Sequence, residues 1–214
     1  MHPFETITYK RCTIKLMQDD DPESPREWEN VGEILYTSSR YTLGDRRTTS
    51  EEIGEITRRP DVLWLPVYAY IHGGITLRTS PFSCPWDSGQ CGIIWCTKAR
   101  AVKEWGKKLC TKQIEKQALA YLDGEIKTYN SFLEGDVAGF IAEDPEGEHI
   151  DSCWGFYPDD AKGYAERWAY PISEAKASIN AWRSKRAKTL RAERLTARLE
   201  REQHLALIGG AYVG

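Results

Sequence analysis

The apolar residues of this chain fall into two periods. The clearest run is VLWLPVYAYI, residues 62–71, almost wholly aliphatic or aromatic and bounded by Asp61 and by His72-Gly73-Gly74. Such a run predicts a buried strand. Pro66 lies inside it and has no N–H to give a ladder, which asks for an edge position or a bulge. The His-Gly-Gly turn leads into residues 75–79, and after the loop SPFSCPWDSGQCG a return strand is expected over 92–96. The three segments are expected to be neighbours because their connections are short.

A second period begins after Thr111. Ile114, Ala118, Leu122, Ile126, Tyr129 and Leu133 recur at steps of three and four, the pattern of an amphipathic helix capped by Thr111 and closed at Gly135. Around these elements, residues 4–18 alternate enough for a strand or two, 32–36 predicts another strand, and SSRYTLGDRR reads as a polar loop. Residues 50–57 predict a short helix that stops before Pro60. VAGFIAED and IDSCWGFY flank PEGEH as a hairpin does.

From Ser173 the chain changes character: Ala, Arg, Lys, Leu and Glu dominate, with no Pro or Gly before Gly209. This predicts a continuous helix of about 35 residues. Its apolar positions Ile179, Trp182, Leu190, Leu195 and Leu199 are too sparse to bury it wholly. Three fates stay open for it: docking on a partner, pairing with a second copy as a homodimer, or standing solvated. The expected fold is therefore α+β, a mainly antiparallel sheet with one long packed amphipathic helix and a long basic C-terminal helix. Residues 1–170 would form the body and 171–214 the helical extension.

Composition narrows the class. At 214 residues, with 41% hydrophobic and 29% charged positions, the chain can bury a core without disulfide staples. No window is apolar enough to span a bilayer, and the start MHPFETITYK lacks the regions of a secretory signal. A cytoplasmic location in a bacterial host, with no membrane partner, is the expectation, and there the six cysteines stay thiols. No CxxC pair occurs and the four histidines are scattered, so neither a metal site nor a cofactor is expected. The net charge of −3 hides an asymmetry: Asp19, Asp20, Asp21 and Glu23 form an acidic knot, whereas residues 176–201 carry nine Lys or Arg against two Glu.

The chemistry-bearing residues gather in the loop. Cys84, with His72 and Asp87, offers the types a thiolate nucleophile needs, a base and a carboxylate to orient it. The spacing alone proves no such set, and the commoner role of a cytosolic cysteine is that of a small thiol packing the corner. Trp86, Asp87 and Gln90 together present a stacking face, an acceptor and an amide, on a loop stiffened by Pro81 and Pro85. The alternative is that Trp86 plugs the core and Asp87 caps the turn. Arg40 and Asp45 in RYTLGD are candidates for an ion pair beside this loop, either bracing it or facing a ligand, and the sequence leaves the choice open. Arg183, Arg186, Arg191 and Arg194 are the candidate contacts of the basic helix.

The segments QDDDPESPREWENVG, RYTLGD, LPVYAYIHGGITLRTSPFSCPWDSGQCGIIW, TYNSFLEGDVAGF and DSCWGFY, spanning roughly residues 6–157, resemble a family of phage and prophage accessory proteins. That family often carries His-Arg-Arg-Tyr before Leu-Gly-Asp. Here Ser38-Ser39-Arg40-Tyr41 stands in its place, so chemistry relying on that His is not carried over. The resemblance implies a gene of phages and mobile elements, a setting where inhibitors of host immunity are frequent. Three function classes follow. The first and favoured is a binding protein that blocks a host defence protein or ribonucleoprotein complex, in the manner of an anti-CRISPR. The second is an enzyme using Cys84, and the third a nucleic-acid binder acting through the basic tail.

Overall fold

The computed structural model describes residues 2–84, 86–159, 163 and 166–210, with backbone alone for 206–210. The fold is α+β, with two mostly antiparallel sheets where the sequence suggested one. The chain divides into two compact units: residues 18–138 with 155–160, and residues 1–17 with 139–154 and 161–214.

The first of these units holds a five-stranded sheet. Its strands are β3 (Glu33–Tyr36), β4 (Arg46–Arg47), β5 (Val62–Ile71), β6 (Ile75–Arg78) and β7 (Ser88–Thr97), in the order β4-β3-β7-β5-β6. As expected, β5 pairs antiparallel with both β6 and β7. Pro66 is accommodated because β6 covers only Tyr68 to Ile71, leaving no ladder partner on that side to miss its N–H. The two-residue strand β4 runs parallel to β3, inside what reads from the sequence as a polar loop.

Alternation of side chains gives the sheet two covered faces. On one, Ile34, Val67, Ala69, Leu77 and Ile94 pack with Ala118, Leu122, Ile126 and Tyr129 of α3 (Lys112–Leu133). On the other, Leu35 and Ile93 meet Ile56 of α1 (Ser50–Thr57). The Thr111 side chain accepts from the Ile114 N–H, and Gly135, at φ +68°, closes the far end of α3 with its N–H on the Phe132 carbonyl. The sheet's outer strand is guarded by α3 as well: Asn130 Oδ1 accepts the Leu77 N–H at 2.6 Å. A helix the sequence reading passed over, α2 (Lys98–Glu104), starts at the Thr97 cap.

The other unit contains the sheet β1-β2-β8-β9, built from β1 (Glu5–Tyr9), β2 (Cys12–Gln18), β8 (Ala138–Glu143) and β9 (His149–Phe156), and the helix α4 (Ala169–Gly210). The expected boundary at residue 170 falls just inside α4. Cys12, Ile14, Leu16, Phe140, Ala142, Ala175 and Ile179 are buried here, whereas every described side chain from Arg183 to Leu205 is exposed. No helix among the described residues is long and apolar enough to cross a membrane.

The hairpin joining β1 to β2 is tight, Tyr9 pairing with Cys12, so Lys10 and Arg11 take φ +53° and +70°. Left-handed backbone at non-glycine residues costs about 1–2 kcal/mol each. Contacts from α4 offset part of that cost: Asn180 Oδ1 accepts from Lys10 Nζ at 2.5 Å, and Arg183 Nη1 donates to the Lys10 carbonyl at 2.9 Å. Replacing Lys10-Arg11 by Asn-Gly, the pair suited to this turn, should stabilise the protein by about 1 kcal/mol, read as a higher melting temperature.

Candidate functional site

Between β5 and β7 the ladder contains one residue too many. Val67 pairs with Gly92 but Tyr68 pairs with Gln90, so Cys91 is an unpaired insertion, a bulge that turns the start of β7 away from its partner. The Cys91 carbonyl accepts the Thr37 N–H at 2.9 Å. Its thiol sits 3.4 Å from the Val67 carbonyl, and burial pushes it up to about 12, so it stays protonated.

The bulge opens a cleft of about 490 Å³, within the size range of ligand sites. Ala69, Ile71 and Leu43 supply its apolar lining, while Arg40, Trp86, Asp87 and Gln90 supply the chemistry. Four residues singled out from the sequence as a recognition surface thus line one cleft. Trp86 is 91% exposed, which rules out the alternative in which its ring plugs the core. The ring stands at the cleft instead.

The loop is braced from below. Tyr70 packs on Phe82 with centroids 5.6 Å apart, the Arg78 guanidinium lies 3.7 Å over the Phe82 ring, and Arg78 Nε donates to the Ser80 carbonyl at 2.9 Å. Pro81 belongs to this braced stretch, while Pro85 lies outside the described residues. His72 stacks on Tyr70, and its Nδ1 lies 3.3 Å from Asp87 Oδ2. The base and the carboxylate of the suggested nucleophilic set therefore meet. Cys84 is half-buried, and its carbonyl accepts the Ser88 hydroxyl. It is not among the described residues that line the cleft.

The candidate Arg40–Asp45 pair is not formed. Asp45 is held by Arg26 in a two-pronged pair, Nε to Oδ1 at 2.9 Å and Nη2 to Oδ2 at 2.7 Å, and it also accepts the Ile34 N–H. The backbone explains the choice, since Asp45 N–H donates to the Ile34 carbonyl and pins the residue beside β3. Arg40 is left on the cleft wall, its guanidinium 5.2 Å from the Tyr41 ring centre. Arg26 Nη1 reaches Glu125 Oε2 at 3.1 Å, and Glu125 Oε1 accepts the Val31 N–H at 2.7 Å. Burial disfavours the Arg26 charge, but the hydrogen bonds it donates to Asp45 and Glu125 outweigh it and raise its pKa. This trio braces the frame behind the cleft, and only Asp45 of the three stood out in the sequence. Glu125 had a signal, because it shares the buried face of α3 with Ala118, Leu122 and Tyr129, where a lone carboxylate needs a partner.

The basic-helix candidates lie on α4. Arg183 reaches the β1–β2 turn, Arg186 lies 5.3 Å over the Trp182 ring, and Arg191 and Arg194 are exposed. No protein family, curated protein or solved structure matches this chain.

Proposed function

We propose that this chain is a binding protein that acts by occlusion, covering a functional surface of a host defence complex on behalf of a phage or mobile element. The observation that carries the reading is the Trp86 ring, 91% exposed at a cleft whose other polar walls are a guanidinium, a carboxylate and an amide. An exposed indole gives up about 1.5–3 kcal/mol of burial free energy that a partner can recover. Tryptophan and arginine are also the residues on which binding energy concentrates. The bracing by Tyr70, Phe82 and Arg78 favours the same reading, since a loop already held in place loses little freedom on binding. The class of partner comes from the resemblance to phage accessory proteins.

The test is phage plaquing on a bacterium with an active CRISPR or restriction system, with and without this chain expressed. Plaquing should be restored by the parent and lost with Trp86→Ala, which should change stability by no more than about 0.5 kcal/mol because the side chain is 91% exposed. If Cys84→Ser abolishes the effect while Trp86→Ala keeps it, the activity is enzymatic and the binding reading fails. Absence of rescue against every system tried also overturns it.

A further inference from the structure

The exposed part of α4 is more ordered in its charge than a merely solvated helix. Over 183–205 it carries eight Lys or Arg against three Glu, and all these side chains are exposed. At about 100° per residue, Arg183, Arg191, Arg194, Arg198 and Arg201 fall within an arc of about 80°. Lys185, Arg186 and Lys188 lie outside that arc, so the stripe is purely arginine. Glu193 and Glu200 fall more than about 100° from its centre. Glu202 lies at its border, where it accepts from Arg198 Nε at 2.8 Å.

We infer that this stripe is a docking surface for duplex DNA, independent of the cleft. Four observations single out that occupant. Along the axis, the arginines from 191 to 201 succeed one another at about 4.5–6 Å, and the whole row from Arg183, whose Nη1 is also held by the Lys10 carbonyl, is about 27 Å long. A duplex presents a continuous line of phosphates over such a length. Guanidinium forks match phosphate oxygens two at a time, which ammonium groups do not. The helix with its side chains is about 10–12 Å across, the width of the B-form major groove. Finally, Leu190, Leu195, Leu199 and Leu205 are spread over about 180° of the cylinder. They form no seam for a second helix and no apolar face for a bilayer.

The test uses the full chain and labelled duplexes of about 24 base pairs, roughly three lengths of the stripe at about 3.4 Å per pair, with fluorescence anisotropy as the readout. Arg191→Gln, Arg194→Gln and Arg201→Gln together remove three charges from the stripe. Lys185→Gln, Arg186→Gln and Lys188→Gln remove three from outside it. Glutamine keeps helix propensity close to that of Lys and Arg, and circular dichroism checks that the helix persists. The stripe variant should bind DNA about a hundredfold more weakly at about 100 mM salt, with a salt slope smaller by about 2.7. The control should lose less than about tenfold under the same conditions. Equal losses in the two variants would reduce the effect to general charge and overturn the stripe. So would no DNA binding at low salt, or tighter binding to duplex RNA, whose deep and narrow major groove excludes a helix.

Discussion

Gly92→Ala should be the most damaging single methyl in this protein. A Cβ at that position would lie 1.9 Å from the Leu35 carbonyl oxygen and 2.9 Å from its carbon, both backbone atoms of the neighbouring strand. No rotamer change relieves a clash with backbone, so β3 and β7 must separate or the bulge at Cys91 must shift. Either movement also disturbs the buried pair Ile34 and Leu35, which feed the two faces of the sheet. A loss of about 3 kcal/mol is expected, the upper end of overpacking, read as a lower urea midpoint. Gly89→Ala, three residues earlier where the Cβ meets nothing within 4 Å, is the control. Similar midpoints for the two variants would mean that the bulge tolerates rearrangement, and the frame of the cleft would then be softer than described.

Arg26→Ala should cost about 3–5 kcal/mol, since removing one member of a buried ion cluster leaves its partners charged and unpaired. The side chains of Arg26 and Glu125 are 8% and 7% exposed, so water does little to replace the lost guanidinium. Glu125→Gln should cost less, about 1–3 kcal/mol, because an amide oxygen still accepts the Val31 and Gly32 N–H groups. Chemical denaturation of both variants reads the order directly. Were Arg26→Ala nearly neutral, the trio would be an accessory of the fold and could not be what keeps β3 and β4 in place behind the cleft.

Strands and helices with an uninterrupted period were legible: β5 as an apolar run, α3 from its three- and four-residue steps, α1 from its position before Pro60. What escaped had little local signature. α2 buries only Ala101, so no stripe announces it and its one mark is the Thr97 cap. The second sheet joins β2 to β8, segments separated by more than half the chain, and neither run says which partner it will find. At the site, sequence proximity suggested Arg40 for Asp45, whereas the fold chose Arg26, nineteen positions upstream. The loop residues Trp86, Asp87 and Gln90 were legible for the opposite reason. A loop dense in Pro, Gly and bulky polar groups has few ways to satisfy itself internally, so its side chains are left for the surface.

The route of the chain through its two units has a consequence for synthesis. Residues 1–17 leave the ribosome well before the strands and helix that complete their unit, which come from 139–154 and from 161 onward. The β1–β2 hairpin alone is a two-stranded ribbon with little stability in water. Residues 18–138, by contrast, carry nearly all of their unit, and its ends are held side by side by the Asp19 N–H on the Val137 carbonyl at 2.8 Å. Domains fold as units while the chain lengthens, so nearly all of the cleft-bearing unit is available while the nascent hairpin still waits for β8, β9 and α4, and only its last segment, 155–160, follows β9. A ribosome stalled soon after residue 160 clears the exit tunnel would carry a folded cleft and no arginine helix.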